Sequence, residues 1–149
     1  NANWKKVYDN CKKLCKIKNI YIAFSYTIQM YNVFSFISIL DFVKEWKSIN
    51  KDRNDGWVFE MVFQNFLSTA LLNRKDYNKI VSELGSYKSK NPELGKEVDD
   101  ILDIMQYDKS REISKADRKY FADYTTKIDE TTKKSIINLS PEFKKYLIS

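Results

Sequence analysis

The stretch 19–40, NIYIAFSYTIQMYNVFSFISIL, has 22 residues and no charged side chain. A run of this length would span a bilayer if it were apolar throughout. Seven of its residues are Asn, Ser, Thr or Gln, however, and they are spread along the whole run. The stretch therefore predicts a buried segment of a folded domain and no membrane span.

Two periodicities compete within this stretch. Over 20–30, large apolar residues alternate with smaller or polar ones, as in a half-buried strand. No Gly or Pro separates that run from the residues up to Trp46, whose apolar spacing is helical. We therefore predict a helix over 19–47 and retain a strand as the alternative for 19–31.

A second apolar segment follows the polar loop predicted at 48–56. Its apolar residues recur at helical spacing over 57–72, and Asp55 stands where a helix N-cap is expected. Asn73 is expected to stop this helix, Asp76 to cap the next one, and Gly85 to end that one. The helices at 19–47 and 57–72 are predicted to form the central pair of the core.

Helix-start signals mark the C-terminal half of the chain. They are Asn91 with Pro92 and Glu93 before a helix to about 107, Ser114 with Asp117, and Ser140 with Pro141 and Glu142. With three Gly and two Pro in 149 residues, the chain favours long helices with short connections. We therefore predict an all-α fold: one compact domain over 1–149, with six to eight helices around a hydrophobic central helix pair.

Several kinds of chemistry are excluded by composition. The chain has no histidine, which removes Ser-His and Cys-His nucleophile pairs and imidazole metal sites. Glycine-rich phosphate-binding loops, nucleophile elbows and EF-hand loops are absent from the sequence as well. Cys11 and Cys15 lie one helical turn apart, where a disulfide would constrain nothing, and we interpret them as reduced core residues. These features predict a protein that is not an enzyme, uses no cofactor or metal, and is cytoplasmic.

The densest acidic cluster suggests a binding surface. Its members are Glu93, Glu97, Asp100 and Asp103, and the first three share one face of the predicted helix. We predict that this face binds one protein partner with a basic surface, such as a basic toxin. Toxin-neutralising immunity proteins and other inhibitors that act by surface docking are the class this suggests. A solvated face without a partner is the structural alternative.

The other function considered rests on the first 18 residues, which hold six lysines and one aspartate in a chain of formal net charge +6. Trp4, Val7, Tyr8, Cys11 and Leu14 would share the apolar face of a helix. Its basic face would present Lys5, Lys12, Lys13 and Lys16. Such a helix could bind nucleic acid or another anionic surface, and a packed helix with solvated lysines is the alternative.

Overall fold

The structure is a computed structural model that describes residues 4–14, 16–17, 20–50 and 56–147. Within these ranges the chain forms seven α-helices and one two-stranded sheet. The elements are α1 (Trp4–Leu14), β1 (Ala23–Ile28), α2 (Phe36–Ile49), β2 (Gly56–Met61), α3 (Arg74–Lys90), α4 (Gly95–Lys109), α5 (Lys115–Thr132), α6 (Ile136–Leu139) and α7 (Lys144–Leu147). The mostly helical architecture predicted from the sequence is confirmed.

The two strands run parallel, in register from Ala23 beside Gly56 to Ile28 beside Met61. Parallel strands cannot be joined by a tight hairpin and need a crossover connection. The crossover here is the 3₁₀ turn Met30–Ser35 followed by α2. Residues 23–61 therefore contain a βαβ unit. No hairpin or turn signal in the sequence predicts it.

Aromatic rings join the inner face of the sheet to α2. Phe24 stacks on Trp57 with ring centroids 4.4 Å apart, and Trp46 meets Phe24 edge-on at 4.8 Å. Phe42 packs edge-on against Trp57 at 5.6 Å. Aromatic pairs at these distances stabilise the fold beyond the area they bury. Trp46 is 1% exposed, so it fixes α2 on β1 from inside the core.

The predicted helix at 57–72 is wrong. Its first part is β2, and two 3₁₀ turns, Asn65–Leu67 and Thr69–Leu71, replace the remainder. Aromatic and β-branched residues in GWVFEM favour a strand once a partner strand is available, and tertiary pairing outweighs helical spacing. The expected central helix pair is accordingly replaced by α2 packed on the sheet and on α3, with α4 against both strands.

Part of 19–31 is also a strand. β1 covers Ala23–Ile28, so the preferred helix prediction is wrong there and the strand alternative is confirmed. Side chains alternate between exposed and inward positions along β1, as the two-residue period requires. The loop predicted at 48–56 is wrong at both ends, because α2 extends to Ile49 and β2 begins at Gly56, and residues 51–55 lie outside the described residues. The N-cap predicted at Asp55 lies outside the described residues.

The bounds of α3 differ from the prediction at both ends. Asn73 does not stop a helix; its side-chain oxygen accepts the backbone N–H of Asp76 at 2.9 Å and caps α3. Asp76 therefore lies inside the first turn. Gly85 does not end α3, which continues to Lys90, because an exposed glycine inside a helix costs only about 1 kcal/mol.

The three helix starts predicted in the C-terminal half are confirmed. The 3₁₀ turn Pro92–Leu94 leads directly into α4. Ser114 and Asp117 make both bonds of a capping box at the start of α5. Ser140 precedes the 3₁₀ turn Pro141–Phe143, after which α7 ends the described chain. Phe143 is 1% exposed, so this terminal segment is part of the core.

A buried carboxylate holds α7 against the start of α3. Asp76 is 6% exposed and accepts hydrogen bonds from Lys145 Nζ at 2.7 Å and from the Tyr146 hydroxyl. The Asn73 side-chain amide donates a further bond at 3.1 Å. Burial pushes the pKa of Asp76 upward, but these three donors outweigh it and hold the pKa below its usual value.

Asp76→Asn is expected to lower the free energy of unfolding by about 1–3 kcal/mol at pH 7, because charged hydrogen bonds are lost. Since the folded-state pKa lies below the unfolded value of about 3.9, the stabilisation is present above that pH and disappears as the pH falls through the folded pKa. Urea unfolding from pH 7 to pH 2 should therefore show the two proteins converging. Asp123→Asn, which breaks an exposed pair with Lys119, is the control. A constant difference across the pH range would contradict this role for Asp76.

Candidate functional site

A second buried carboxylate organises the end of the molecule beyond β2. Asp108, near the end of α4, is 0% exposed. Its Oδ2 accepts the backbone N–H of Thr69 at 2.9 Å and the Thr69 hydroxyl at 2.8 Å, and its Oδ1 accepts Arg111 Nη1 at 3.0 Å. A buried charge is tolerated when it is paired and hydrogen-bonded in this way. We call Asp108, Thr69 and Arg111 the Asp108 clamp.

Arg111 extends the clamp to the segment that follows β2. Its Nη1 donates to the carbonyl oxygen of Val62 at 2.8 Å. Its Nη2 donates to Asn65 Oδ1 at 2.6 Å and to the carbonyl oxygen of Phe63. The planar guanidinium can make all these bonds at once because its donors are fixed relative to one another. Arg111 thus holds the backbone of Val62 and Phe63 and the side chain of Asn65, where the chain passes from β2 into the 3₁₀ turn Asn65–Leu67.

The segment held by the clamp carries an exposed aromatic surface. Phe66 meets the rings of Tyr120 at 4.6 Å and Tyr124 at 5.5 Å, both edge-on. Tyr120 and Tyr124 remain 55% and 39% exposed on α5, and Phe63, three residues before Phe66, is 80% exposed. We call Phe63, Phe66, Tyr120 and Tyr124 the aromatic patch.

The orientation of α5 explains why its two tyrosines face outward. Phe121, Ala122 and Thr125 are the buried positions of this helix. Tyr120 and Tyr124 lie one turn apart at the border of that buried face. Their rings pack against Phe66 on one side and remain partly exposed to solvent on the other. The tyrosine hydroxyls therefore stay in contact with water while the rings are ordered by packing.

Two grooves flank α5 beside the aromatic patch. One has a volume of about 760 Å³ and separates α5 from the start of α2 and from α6. The other, of about 490 Å³, includes Tyr120 and Tyr124 in its wall. Ile128 and Thr132 line both grooves, so this part of α5 forms a ridge between them. Concave sites of this size accept ligands or inserted side chains.

The larger groove has a mostly apolar wall with ordered hydroxyl groups. Tyr31 and Thr125 share a hydrogen bond of 2.8 Å at its base. Burial raises the pKa of the Tyr31 hydroxyl, which keeps it neutral at physiological pH. Phe34 and Ile136 supply apolar surface around this pair. Charged side chains line the groove as well, namely Asp129, Lys134 and Glu142, and the Ser140 hydroxyl donates to the Glu142 carboxylate at 2.7 Å. The groove therefore offers apolar packing together with neutral and charged hydrogen-bonding groups.

The acidic residues predicted to bind a partner are largely engaged by lysines of the same chain. Glu97 is 6% exposed, so it contributes little to the surface. The pairs are Glu97 with Lys47 at 2.5 Å, Glu93 with Lys44 at 3.5 Å, and Asp100 with Lys96 at 3.0 Å. Asp103 is exposed and forms no ion pair with another described residue. The structure does not bring these four together as one unpaired acidic surface.

The basic residues of the alternative site lie on or just after α1. Lys5, Lys13 and Lys16 are exposed. Lys12 instead turns back onto the molecule, with its Nζ 4.0 Å from the ring centroid of Tyr8 and 3.5 Å from a carboxylate oxygen of Glu45. Three of the four predicted lysines thus remain available to an anionic surface.

The apolar face of α1 is only partly covered. Tyr8 packs edge-on against Phe42 of α2 at 5.3 Å. Val7 and Leu14, which were expected to share the packed face, are 40% and 43% exposed. Cys11 is a free, half-buried thiol, as expected for a reduced residue, whereas Cys15 lies outside the described residues.

The residues that shape the candidate surface were not identified from the sequence. Asp108 and Arg111 stand three apart, which is a recognisable helical pairing. Thr69 is 39 positions away from Asp108, so the closed clamp has no local signal. Helical periodicity does not tell which aromatic residues at the border of a buried face stay exposed, so it does not single out Tyr120 and Tyr124 as a pair.

Two features that would indicate a function, a membrane-spanning helix and a metal site, are not found among the described residues. No helix among them is both long and apolar enough to cross a membrane. Within the same ranges, no group of three or more Asp, Glu or Cys side chains is placed to hold a metal ion. Comparisons of the chain with known protein families, with curated proteins and with solved structures gave no match. The geometry of the site is therefore the basis on which a function is proposed.

Proposed function

We propose that the protein is a non-enzymatic binding domain that docks one protein partner through the aromatic patch. The observation that supports this most is the contact of Phe66 with two exposed tyrosines, together with the 80% exposure of Phe63 three residues earlier in the chain. Phenylalanine and tyrosine are enriched at protein interfaces, and tyrosine is frequent among the residues whose truncation costs most affinity. An exposed apolar surface of this kind gains free energy when a partner covers it.

The backbone and the helix that carry the aromatic patch are held rigidly, and this supports the proposal. The Asp108 clamp holds the backbone on one side of the patch, and the buried face of α5 holds the tyrosines on the other. Little conformational entropy would therefore be lost at the patch when a partner binds. The flanking grooves would receive side chains of the partner next to the patch.

The narrower form of the proposal is an inhibitor or a toxin-neutralising immunity protein that blocks its partner sterically. A cytoplasmic location belongs to this proposal and agrees with the free thiol of Cys11. The acidic residues of α4 remain a predicted secondary contact for a basic partner. Because Glu97 is buried, that contact would rely on Asp100 and Asp103 at the surface.

Photo-crosslinking tests the proposal directly. A benzoylphenylalanine residue replaces Phe63 in one variant and Tyr21 in the other, and both are expressed in the source cells. Tyr21 is 67% exposed and lies near the opposite end of the sheet, against Gly56. We expect one protein to be crosslinked from position 63 and not from position 21. Equal crosslinking from both positions, or none from position 63, would contradict docking at the patch.

The affinity of the identified partner for single-residue variants then gives the contribution of individual aromatic rings to binding. Phe63→Ala and Tyr120→Ala are each expected to weaken binding by about 2 kcal/mol, which is roughly 30-fold in Kd. Tyr21→Ala is the matched control and should leave Kd unchanged. The double charge reversal Asp100→Lys with Asp103→Lys tests the acidic contact separately. If only that variant lost affinity, the acidic face would replace the patch as the binding surface.

The exposed lysines of α1 support a second candidate function, binding to an anionic surface. Lys5, Lys13 and Lys16 stand beside partly exposed Val7 and Leu14, a combination typical of helices that lie on charged interfaces. Phosphate-dominated binding should weaken steeply with salt, whereas docking at the aromatic patch should weaken little. Binding to nucleic acid or anionic vesicles at 50 and 200 mM salt distinguishes the two.

A further inference from the structure

A third concave site lies on the other side of α5, where the Thr69–Leu71 turn, α5 and α7 meet. Its volume is about 450 Å³. Four of the seven residues that line it are cations, namely Lys115, Arg118, Lys119 and Lys145, and the others are Leu71, Phe121 and Tyr146. No acidic side chain lines this site. We call it the basic pocket.

Two of the four cations are already neutralised. Lys145 pairs with Asp76 at 2.6 Å, and Lys119 pairs with Asp123 at 2.6 Å. Arg118 donates from Nη1 to the neutral carbonyl oxygen of Leu71 at 2.8 Å, which leaves its charge uncompensated. Lys115 is exposed and makes no ion pair with another described residue.

Asp117 lies between Lys115 and Arg118 in sequence but does not line the basic pocket. Its carboxylate accepts hydrogen bonds from the Ser114 hydroxyl at 2.6 Å and from the Ser114 N–H at 2.9 Å, in the capping box that starts α5. Two of the cations that line the basic pocket, Lys115 and Arg118, therefore have no ion-pair partner among the described residues.

We infer that the basic pocket binds a small phosphate monoester that carries an aromatic ring. A phosphate monoester has a charge of about −1.5 to −2 at pH 7, which matches the two uncompensated cations. The Arg118 guanidinium keeps free donors for phosphate oxygens, and Lys115 adds a mobile point charge. The ring would pack against the half-buried Tyr146, because Leu71 and Phe121 are only 1% exposed, and the volume is sufficient for a ligand of this kind.

This site is separate from the proposed docking surface. Its cations point from the first turns of α5 toward α7, whereas Tyr120 and Tyr124 of the aromatic patch meet Phe66. The inference does not depend on the proposed function, and either one can fail without the other.

Calorimetric titration of the full chain tests the inference, with phenyl phosphate as the probe. We expect saturable one-to-one binding, and binding of inorganic phosphate weaker by about tenfold because it lacks the ring. Phenol, which has the ring without the charge, should not bind measurably. Adenosine monophosphate and a phosphotyrosine peptide then distinguish a nucleotide from a phosphorylated protein as the source of the group.

Charge-neutral variants locate the site. Lys115→Gln and Arg118→Gln are each expected to weaken phenyl phosphate binding by about tenfold or more, because each removes a charged hydrogen bond. Arg118→Lys should restore part of the affinity if the charge is what matters. Lys127→Gln, on the same helix and outside the basic pocket, is the matched control and should change affinity less than about twofold. Thermal unfolding of each variant verifies that the fold is retained.

Two results would overturn the inference. One is the absence of saturation by phenyl phosphate up to about 10 mM, since a Kd above that value is weaker than any specific site needs. The other is an equal loss of binding in Lys127→Gln and Lys115→Gln, which would show that net charge alone attracts the anion.

Discussion

Arg111→Ala should destabilise the protein by about 3–5 kcal/mol, because it leaves Asp108 buried without its ion-pair partner. Asp108 is 0% exposed, so water cannot replace the lost donor without local opening. The bonds from Arg111 to Val62 and Asn65 disappear as well, which should loosen residues 62–65. Urea unfolding followed by circular dichroism measures the change.

Comparison of two variants identifies the cause of that loss. The double variant Asp108→Asn with Arg111→Ala removes the buried charge together with its partner, so it should be less destabilised than Arg111→Ala alone. Lys119→Ala breaks an exposed ion pair and should change stability by less than about 1 kcal/mol. A double variant at least as unstable as Arg111→Ala alone would show that the unpaired buried charge is not the cause of the loss.

Trp46→Ala is expected to cost about 3–5 kcal/mol, as large-to-small substitutions of buried aromatic residues do. The ring is 1% exposed and packs against Phe24 at 4.8 Å, so its removal leaves a cavity between α2 and β1. Thermal or urea unfolding at neutral pH measures the loss. Because the contact joins the crossover helix to the strand before it, unfolding should remain a single cooperative transition.

Phe63→Ala is the matched control for that measurement. Phe63 is 80% exposed, and removal of an exposed ring should change the free energy of unfolding by less than about 0.5 kcal/mol. The same substitution is expected to reduce partner affinity strongly. A large stability loss in Phe63→Ala, with a small one in Trp46→Ala, would contradict the assignment of core and surface.

Local signals predicted the C-terminal half of the fold well. The Ser114 and Asp117 capping box and the prolines at Pro92 and Pro141 depend on backbone geometry within one turn, so the sequence alone contains them. The same reasoning failed over 57–72. There, apolar residues fit a helical stripe and a strand equally well. The choice was made by pairing with β1, from Ala23 beside Gly56 to Ile28 beside Met61, which lies outside any local window.

For the candidate site, the sequence could indicate the types of residue on each helix but not their arrangement in space. Exposed acids on α4 were expected from helical phase, but Lys47 of α2 reaches Glu97 across the fold and removes it from the surface. Phase likewise placed Tyr120 and Tyr124 on a helix without saying what lies beside them. Their contact with Phe66 depends on the path of the chain after β2, which the Asp108 clamp fixes.

The sequence by itself determined the mostly helical class, the capping box of α5 and the absence of histidine chemistry, because each depends on composition or on neighbours within one helical turn. Only the tertiary structure decided the parallel strand pair, the burial of Asp76, Glu97 and Asp108, and the exposure of the aromatic patch. Those features arise from contacts between residues distant in the chain, where packing and desolvation outweigh local preference.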